Sequence, residues 1–200
     1  YSLQFILQKH TSHSKEHAYL VFLPGIDSII WFAEALRMSQ LGNELDIHIL
    51  HSTVNMEDQE AALFPSPDHM RKIIFSTNVA ESSITVPDVQ VVIDFCFTKQ
   101  MVYDPMTRCR SLNQVYISKA SAKQRRGRAG RVKDGEVYRM VSKEYFDQLE
   151  DQASPQIQTE SLEHTVLKIL KMRWKSPEEV LSQCIDPPDI SAIGATYELL

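Results

Sequence analysis

The chain has 200 residues, with 21 Lys and Arg against 26 Asp and Glu, a formal net charge of −5. At 43% hydrophobic and 24% charged residues it has the composition of a globular protein, neither disordered nor fibrous. No apolar run approaches the roughly 20 residues of a membrane-spanning helix, and the acidic balance argues against a surface that grips nucleic acid all over while allowing a local basic patch.

The opening stretch, YSLQFILQKHTSHSKEH, has no basic start, long apolar core or small-residue cleavage site, so no signal peptide is expected. Lacking an initiator Met, the sequence reads as a piece of a longer protein. The apolar run Ala18–Leu23 has strand length and PGIDS follows as a turn. Ile29, Phe32, Ala33, Leu36 and Leu41 then predict a helix over Ser28–Leu41, capped by Asp27 or Ser28 and stopped at Gly42.

Leu45–Ser52 reads as a strand, Asn55–Phe64 as a short helix, and Lys72–Thr77 and Val89–Phe95 as two more strands. Strands apolar on both faces that alternate with helices imply a parallel sheet covered on both sides. Right-handed crossovers would align the strand C-termini along one edge, where ligands of such sheets bind. Thr98–Ser118 has two extended halves around Asp104-Pro105, which predicts a projecting β-hairpin. Glu136–Val141 is a further strand, and a helix starts at Ser142.

Pro155 lies in a stretch of altered composition, so the expected domains are 1–155 and 156–200. In the second, Leu162, Val166, Ile169 and Leu170 share a helical face, Ser176 and Pro177 open another helix, and ISAIGATYELL starts a third. The expected fold class is α/β, with a projecting hairpin and a short α-helical C-terminal segment. Cys96, Cys109 and Cys184 have no metal-ligand spacing, and a sparse odd set fits a reducing compartment. His10, His13, His17, His48 and His51 converge with no Cys or carboxylate, so no metal site is expected.

Three segments carry chemistry. Ser118–Val132, SKASAKQRRGRAGRV, holds six Lys and Arg and no carboxylate. With Ser121 as N-cap, the following residues predict a helix whose Gln124, Arg128 and Arg131 share one face. Arg125 is turned about 100° away from Gln124. Guanidinium groups match phosphate oxygens, while Gly127 and Gly130 each weaken a helix by about 1 kcal/mol and suit a close backbone approach. A solvated basic face and a phosphate site both remain open on these grounds.

FSTNVAESSITVPDV (Phe75–Val89) places small hydroxyls and an amide at a strand end, where they cap a helix or bind phosphate and ribose oxygens. Phe64, followed by Pro65 and Pro67, is either a core residue or a ring available for stacking. No G-x-x-x-x-G-K-[ST] and no acidic D-E-x-x strand end occurs, so the chain lacks two parts of a complete ATPase.

QRRGRAGR (Gln124–Arg131) resembles motif VI of DEAH-box RNA helicases of superfamily 2, and STNVAESSITVPDV resembles motif V. LVFLPGIDSI resembles motif IV, and LHST the short motif after it. The resemblance covers about residues 18–150 and implies the second RecA-like domain of a helicase, followed by the start of a winged-helix domain. The P-loop and DEAH box would belong to a first RecA-like domain outside this chain. VVIDFCFTK and ESSITVPDV also resemble the germline, tudor-domain-bearing (Spindle-E-like) branch, which acts in the piRNA pathway.

The resemblance further implies ATP with Mg²⁺ as cofactor, with the Mg²⁺ ligands outside this chain. Arg128 and Arg131 are then arginine fingers, with Gln124 near the γ-phosphate and the attacking water. Phe64 is implied to stack on adenine, and Ser83, Thr85 and Asp88 to lie near the nucleotide, while Thr77, Asn78 and Ser52 touch the RNA backbone. Relatives often carry an acid where this chain has Pro87, one position before Asp88. Implied partners are RNA, the N-terminal RecA-like domain and piRNA-pathway proteins, with no membrane. The implied location is cytoplasmic, in perinuclear germline granules. The chain alone is expected to be inactive. Other classes are a RecA-like scaffold without catalysis and a simple RNA-binding module.

Overall fold

The computed structural model describes residues 4–8, 17–67, 69–82, 86–104, 109–131 and 134–197. Residues 4–8 form a helical turn, α1. Then follow β1 (Ala18–Phe22), α2 (Ile26–Arg37), β2 (Leu45–Leu50), α3 (Met56–Ala61), β3 (Arg71–Ser76), α4 (Val79–Ser82) and β4 (Val89–Asp94). After these come β5 (Phe97–Asp104), β6 (Cys109–Tyr116), α5 (Lys119–Arg126), β7 (Glu136–Arg139) and α6 (Lys143–Asp147). The last elements are α7 (Gln156–Thr159), α8 (Glu163–Met172), α9 (Pro177–Leu181) and α10 (Ile190–Tyr197).

Five strands form a parallel sheet in the order β2-β3-β1-β4-β7, and β5 pairs with β6 as a two-stranded hairpin. The strands' period of two divides their side chains between two cores. Tyr19, Val21, Ile73, Phe75, Val91 and Ile93 pack with Ile29, Phe32, Ala33 and Leu36 of α2. Leu20, Phe22, Ile74 and Val92 pack on the other face with Ala62, Ala80, Val86 and Ala129. Each large apolar side chain buried this way contributes about 1.5–3 kcal/mol, and double-sided burial explains the unbroken apolar run of β1 and the apolar centres of β3 and β4.

Two compact units divide the chain. One comprises Tyr1–Lys99 and Gln114–Ala153, the other Gln100–Asn113 and Ser154–Leu200. The second unit has its own small core of Leu162, Val166, Ile169, Leu181 and Ile193. Ser176 caps α9 by accepting from the Glu179 N–H, with Pro177 in the first turn.

Several boundaries differ from expectation. Helix α2 starts at Ile26 on a Gly25 cap, with Asp27 inside its first turn. It ends at Arg37 with Met38 as cap, and Gly42 instead opens a 3₁₀ turn, Gly42–Glu44. That turn lies tightly against the helix end, since a Cβ on Gly42 would stand 2.2 Å from the Arg37 carbonyl oxygen. Helix α3 stops at Ala61, which leaves Phe64 outside it.

Candidate functional site

The parallel sheet sends the candidate residues to two opposite edges. Ser52 follows the end of β2, and Thr77 and Asn78 follow the end of β3. Phe64 precedes β3, Asp88 directly precedes β4, and Arg131 lies in the segment leading into β7. The rule that ligands gather at strand C-termini therefore describes the first group only. The second group sits where strands begin.

At the strand-end edge Ser76 Oγ donates to the Leu50 carbonyl at 3.2 Å, tying β3 to β2. Thr77 is buried and Asn78 is exposed, with the Asn78 carbonyl accepting from the Glu81 N–H in the first turn of α4. Ser52 is exposed in a turn where His51 Nδ1 and Thr53 Oγ1 lie 2.8 Å apart. Ser83 and Thr85 lie outside the described residues.

Helix α5 corrects the expected basic helix. Its N-cap is Ser118, not Ser121, and it ends at Arg126. The Gly127 N–H bonds four residues back to Lys123, but those of Arg128 and Ala129 bond three residues back to Arg125 and Arg126. The chain has tightened into a 3₁₀-like turn. Gly130 then takes φ 73°, a left-handed value that Gly adopts without penalty. A shared helical face for Gln124, Arg128 and Arg131 therefore stops at Gly127, and Arg131 is placed by a loop. Gly135 closes that loop: a Cβ on it would stand 2.5 Å from the Gly130 nitrogen.

Gln124 and Arg131 are exposed and Arg128 is half-buried. Arg128 Nε is buried and has no hydrogen-bond partner among the described residues. Burial first, then the nearby Arg131 cation, hold the Arg128 guanidinium below its ordinary pKa, against the pull of Glu81. Two neighbouring cations, one with a buried donor unpartnered among the described residues, have the chemistry to bind a multiply charged anion.

Arg125, which helical spacing turns away from Gln124, is fully buried by the fold. Arg125 is 0% exposed, and its Nε donates to Glu81 Oε1 at 2.8 Å while Nη1 donates to Asp94 Oδ1 at 2.8 Å. Nη1 also donates to the Phe97 carbonyl at 3.2 Å, and the guanidinium lies 4.8 Å from the Phe22 ring centroid. Ser121 Oγ donates to Glu81 Oε2 at 2.8 Å. Arg125 thus joins α4, β4 and the base of the hairpin to α5. Asp94 also accepts from the Cys96 N–H at 2.8 Å, across a junction where Cys96 has φ 60°. Burial and then the Asp94 charge push the Cys96 thiol up to about 12. The readable signal was Asp94 itself, a carboxylate ending an apolar strand, which demands a cationic partner.

At the strand-start edge the Phe64 ring is 67% exposed. Lys72, 3% exposed, donates from Nζ to the Phe64 carbonyl at 2.8 Å and lies 3.2 Å from Asp88 Oδ2. The Asp88 carboxylate is thus engaged within the fold and keeps lone pairs for one further donor.

Phe64 offers a ring face, Asp88 an acceptor, and Arg128 and Arg131 offer donors to phosphate oxygens. Among the described residues no group of three His, Cys, Asp or Glu side chains could hold a metal ion.

Residues 2–133 match the family described as the helicase conserved C-terminal domain. The chain belongs to that family. It is similar to the probable ATP-dependent RNA helicase spindle-E of Drosophila erecta, 42% identical over 92% of this chain and 13% of that protein. It is likewise similar to the human ATP-dependent RNA helicase TDRD9, 40% identical over 98% of this chain and 14% of that protein. Among solved structures, the E. coli DExH-box NTPase HrpB superposes with a TM-score of 0.87 at 28% identity, over 99% of this chain and 24% of that one. The fold is that of a helicase RecA-like domain, and the chain spans about one seventh of the two helicases' lengths.

Proposed function

We propose that this chain is the second RecA-like half of an ATP-dependent RNA helicase, completing an ATP site whose phosphate-cradling loop and Mg²⁺ ligands lie on the first RecA-like domain. The observation that carries this reading is the pair Arg128 and Arg131, with the buried Nε of Arg128 unpartnered among the described residues. In a split site such cations stabilise charge that develops on the transferred phosphoryl group. Gln124 orients the attacking water, Phe64 stacks on the base, and Asp88 accepts from the ribose, with Ser83 and Thr85 completing the nucleotide contacts.

At the opposite edge Thr77, Asn78 and Ser52 contact the RNA backbone, which makes binding indifferent to sequence. Because α4 carries both the Asn78 turn and Glu81, a shift of that turn is felt at Arg125 and along α5. The Spindle-E-like resemblance supports a role in piRNA silencing, with piRNA-pathway proteins as partners and germline cytoplasmic granules as location.

The test compares ATP hydrolysis by this chain alone and by the full-length protein, each with and without single-stranded RNA. The chain alone is expected to be inactive, and the full-length protein to be stimulated by RNAs of unrelated sequence. Hydrolysis by the isolated chain would overturn the split-site reading. Tight, steeply salt-dependent RNA binding by the isolated chain would favour a simple binding module.

A further inference from the structure

The segment that carries Phe64 is held from beneath by two neighbouring strands. Lys72 Nζ of β3 donates to the Phe64 carbonyl at 2.8 Å. Two residues on, Ser66 Oγ donates to Asp46 Oδ2 of β2. Asp46 and Lys72 are register partners across the sheet, so both tethers rise from one point. Pro65, between the tethered residues, fixes its own φ. The ring that stands on this mount is 67% exposed.

The same ammonium reaches the segment that carries Asp88, with Asp88 Oδ1 at 3.3 Å and Oδ2 at 3.2 Å. A buried ammonium costs several kcal/mol in desolvation unless it is well paired, and an apolar side chain would fill the same strand position. What the cation adds is a single point fixing Phe64 and Asp88 relative to each other. These are the residues assigned above to the base and the ribose.

We infer that Lys72 is a positioning residue for the nucleoside half of the site, holding the Phe64 ring ready to stack and Asp88 beside it. The inference rests on the nucleotide reading given above. A mount fixed before binding removes the ordering cost that a loose aromatic segment would incur when the base arrives. Lys72 therefore acts on nucleotide affinity and leaves the phosphoryl step to Arg128 and Arg131.

The test is ADP binding by the full-length protein, measured by calorimetry, because ADP carries the nucleoside without the γ-phosphate. Lys72→Met is expected to weaken ADP about tenfold, the size of coupling found between contacting residues. It is expected to raise KM for ATP and leave kcat near the wild-type value. In a Phe64→Ala background the same substitution should cost clearly less affinity, since only its hold on Asp88 then remains. Should Lys72→Met fail to fold, as read by thermal unfolding, Lys72→Gln carries the same cycle with a neutral polar side chain. Unchanged ADP affinity, or an equal loss with and without the ring, would overturn the positioning role alone. A wild-type protein that binds no ADP would overturn the nucleotide reading as well.

Discussion

Arg125 Nη1 donates to Asp94 Oδ1 at 2.8 Å, with the two side chains 0% and 1% exposed. Glu81 holds the same guanidinium through Nε. Removing one member of a buried ion pair strands the other charge and costs about 3–5 kcal/mol. Arg125→Met is therefore expected to lower the unfolding free energy of the domain by about that amount in urea denaturation. The double variant Arg125→Met with Asp94→Asn should recover a large part of the loss. A single variant within about 1 kcal/mol of wild type, as an exposed pair would give, would contradict the structural role assigned to Arg125.

Gly130 sets the path of the loop that carries Arg131. An L-residue at its φ of 73° costs about 1–2 kcal/mol. Gly130→Ala is expected to leave the far-ultraviolet spectrum unchanged and to cut ATP hydrolysis by the full-length protein at least tenfold, by displacing Arg131. Wild-type turnover in this variant would show that Arg131 does not depend on the turn.

The sheet was legible because its signal is repeated. Ala18–Leu23 is apolar on both faces, Leu45–Ser52, Lys72–Thr77 and Val89–Phe95 each carry an apolar centre, and each stretch contains a strand of the observed parallel sheet apart from one or two residues at the ends. The site was legible only in part. Helical spacing placed Arg128 and Arg131 on one face, but two glycines and a change of hydrogen-bond register override that spacing. Lys72 and Glu81 were passed over because a charge within a strand or a short helix carries no periodic signal. Glu81 meets its partner Arg125 across 44 residues of sequence, and Lys72 reaches back to the Phe64 carbonyl and forward to Asp88, contacts that no periodic pattern encodes.

Asp46 gives the mount a pH dependence. Burial raises its pKa, but hydrogen bonds from Ser66 and His48 and the nearby charge of Lys72 outweigh this, leaving it below its ordinary 3.8. A carboxyl depressed in the fold contributes stability that is present above its unfolded pKa and lost as pH falls through the folded one. The stability difference between wild type and Asp46→Asn should therefore shrink as pH falls below about 4. Urea denaturation at a series of pH values measures it. A difference that grows on acidification would reverse the assigned direction.

The proposed role of this domain is to lend cations to an ATP site shared with a partner domain. Its most direct measurement is steady-state ATP hydrolysis by full-length Arg131→Ala, beside Arg126→Ala, which removes an exposed α5 arginine outside the site. Hydrolysis by Arg131→Ala is expected to fall by about 10³-fold or more, the range for arginines that complete such sites, with unchanged thermal unfolding, while Arg126→Ala stays near wild type. Near-normal turnover by Arg131→Ala, or an equal loss in both variants, would contradict the proposed role.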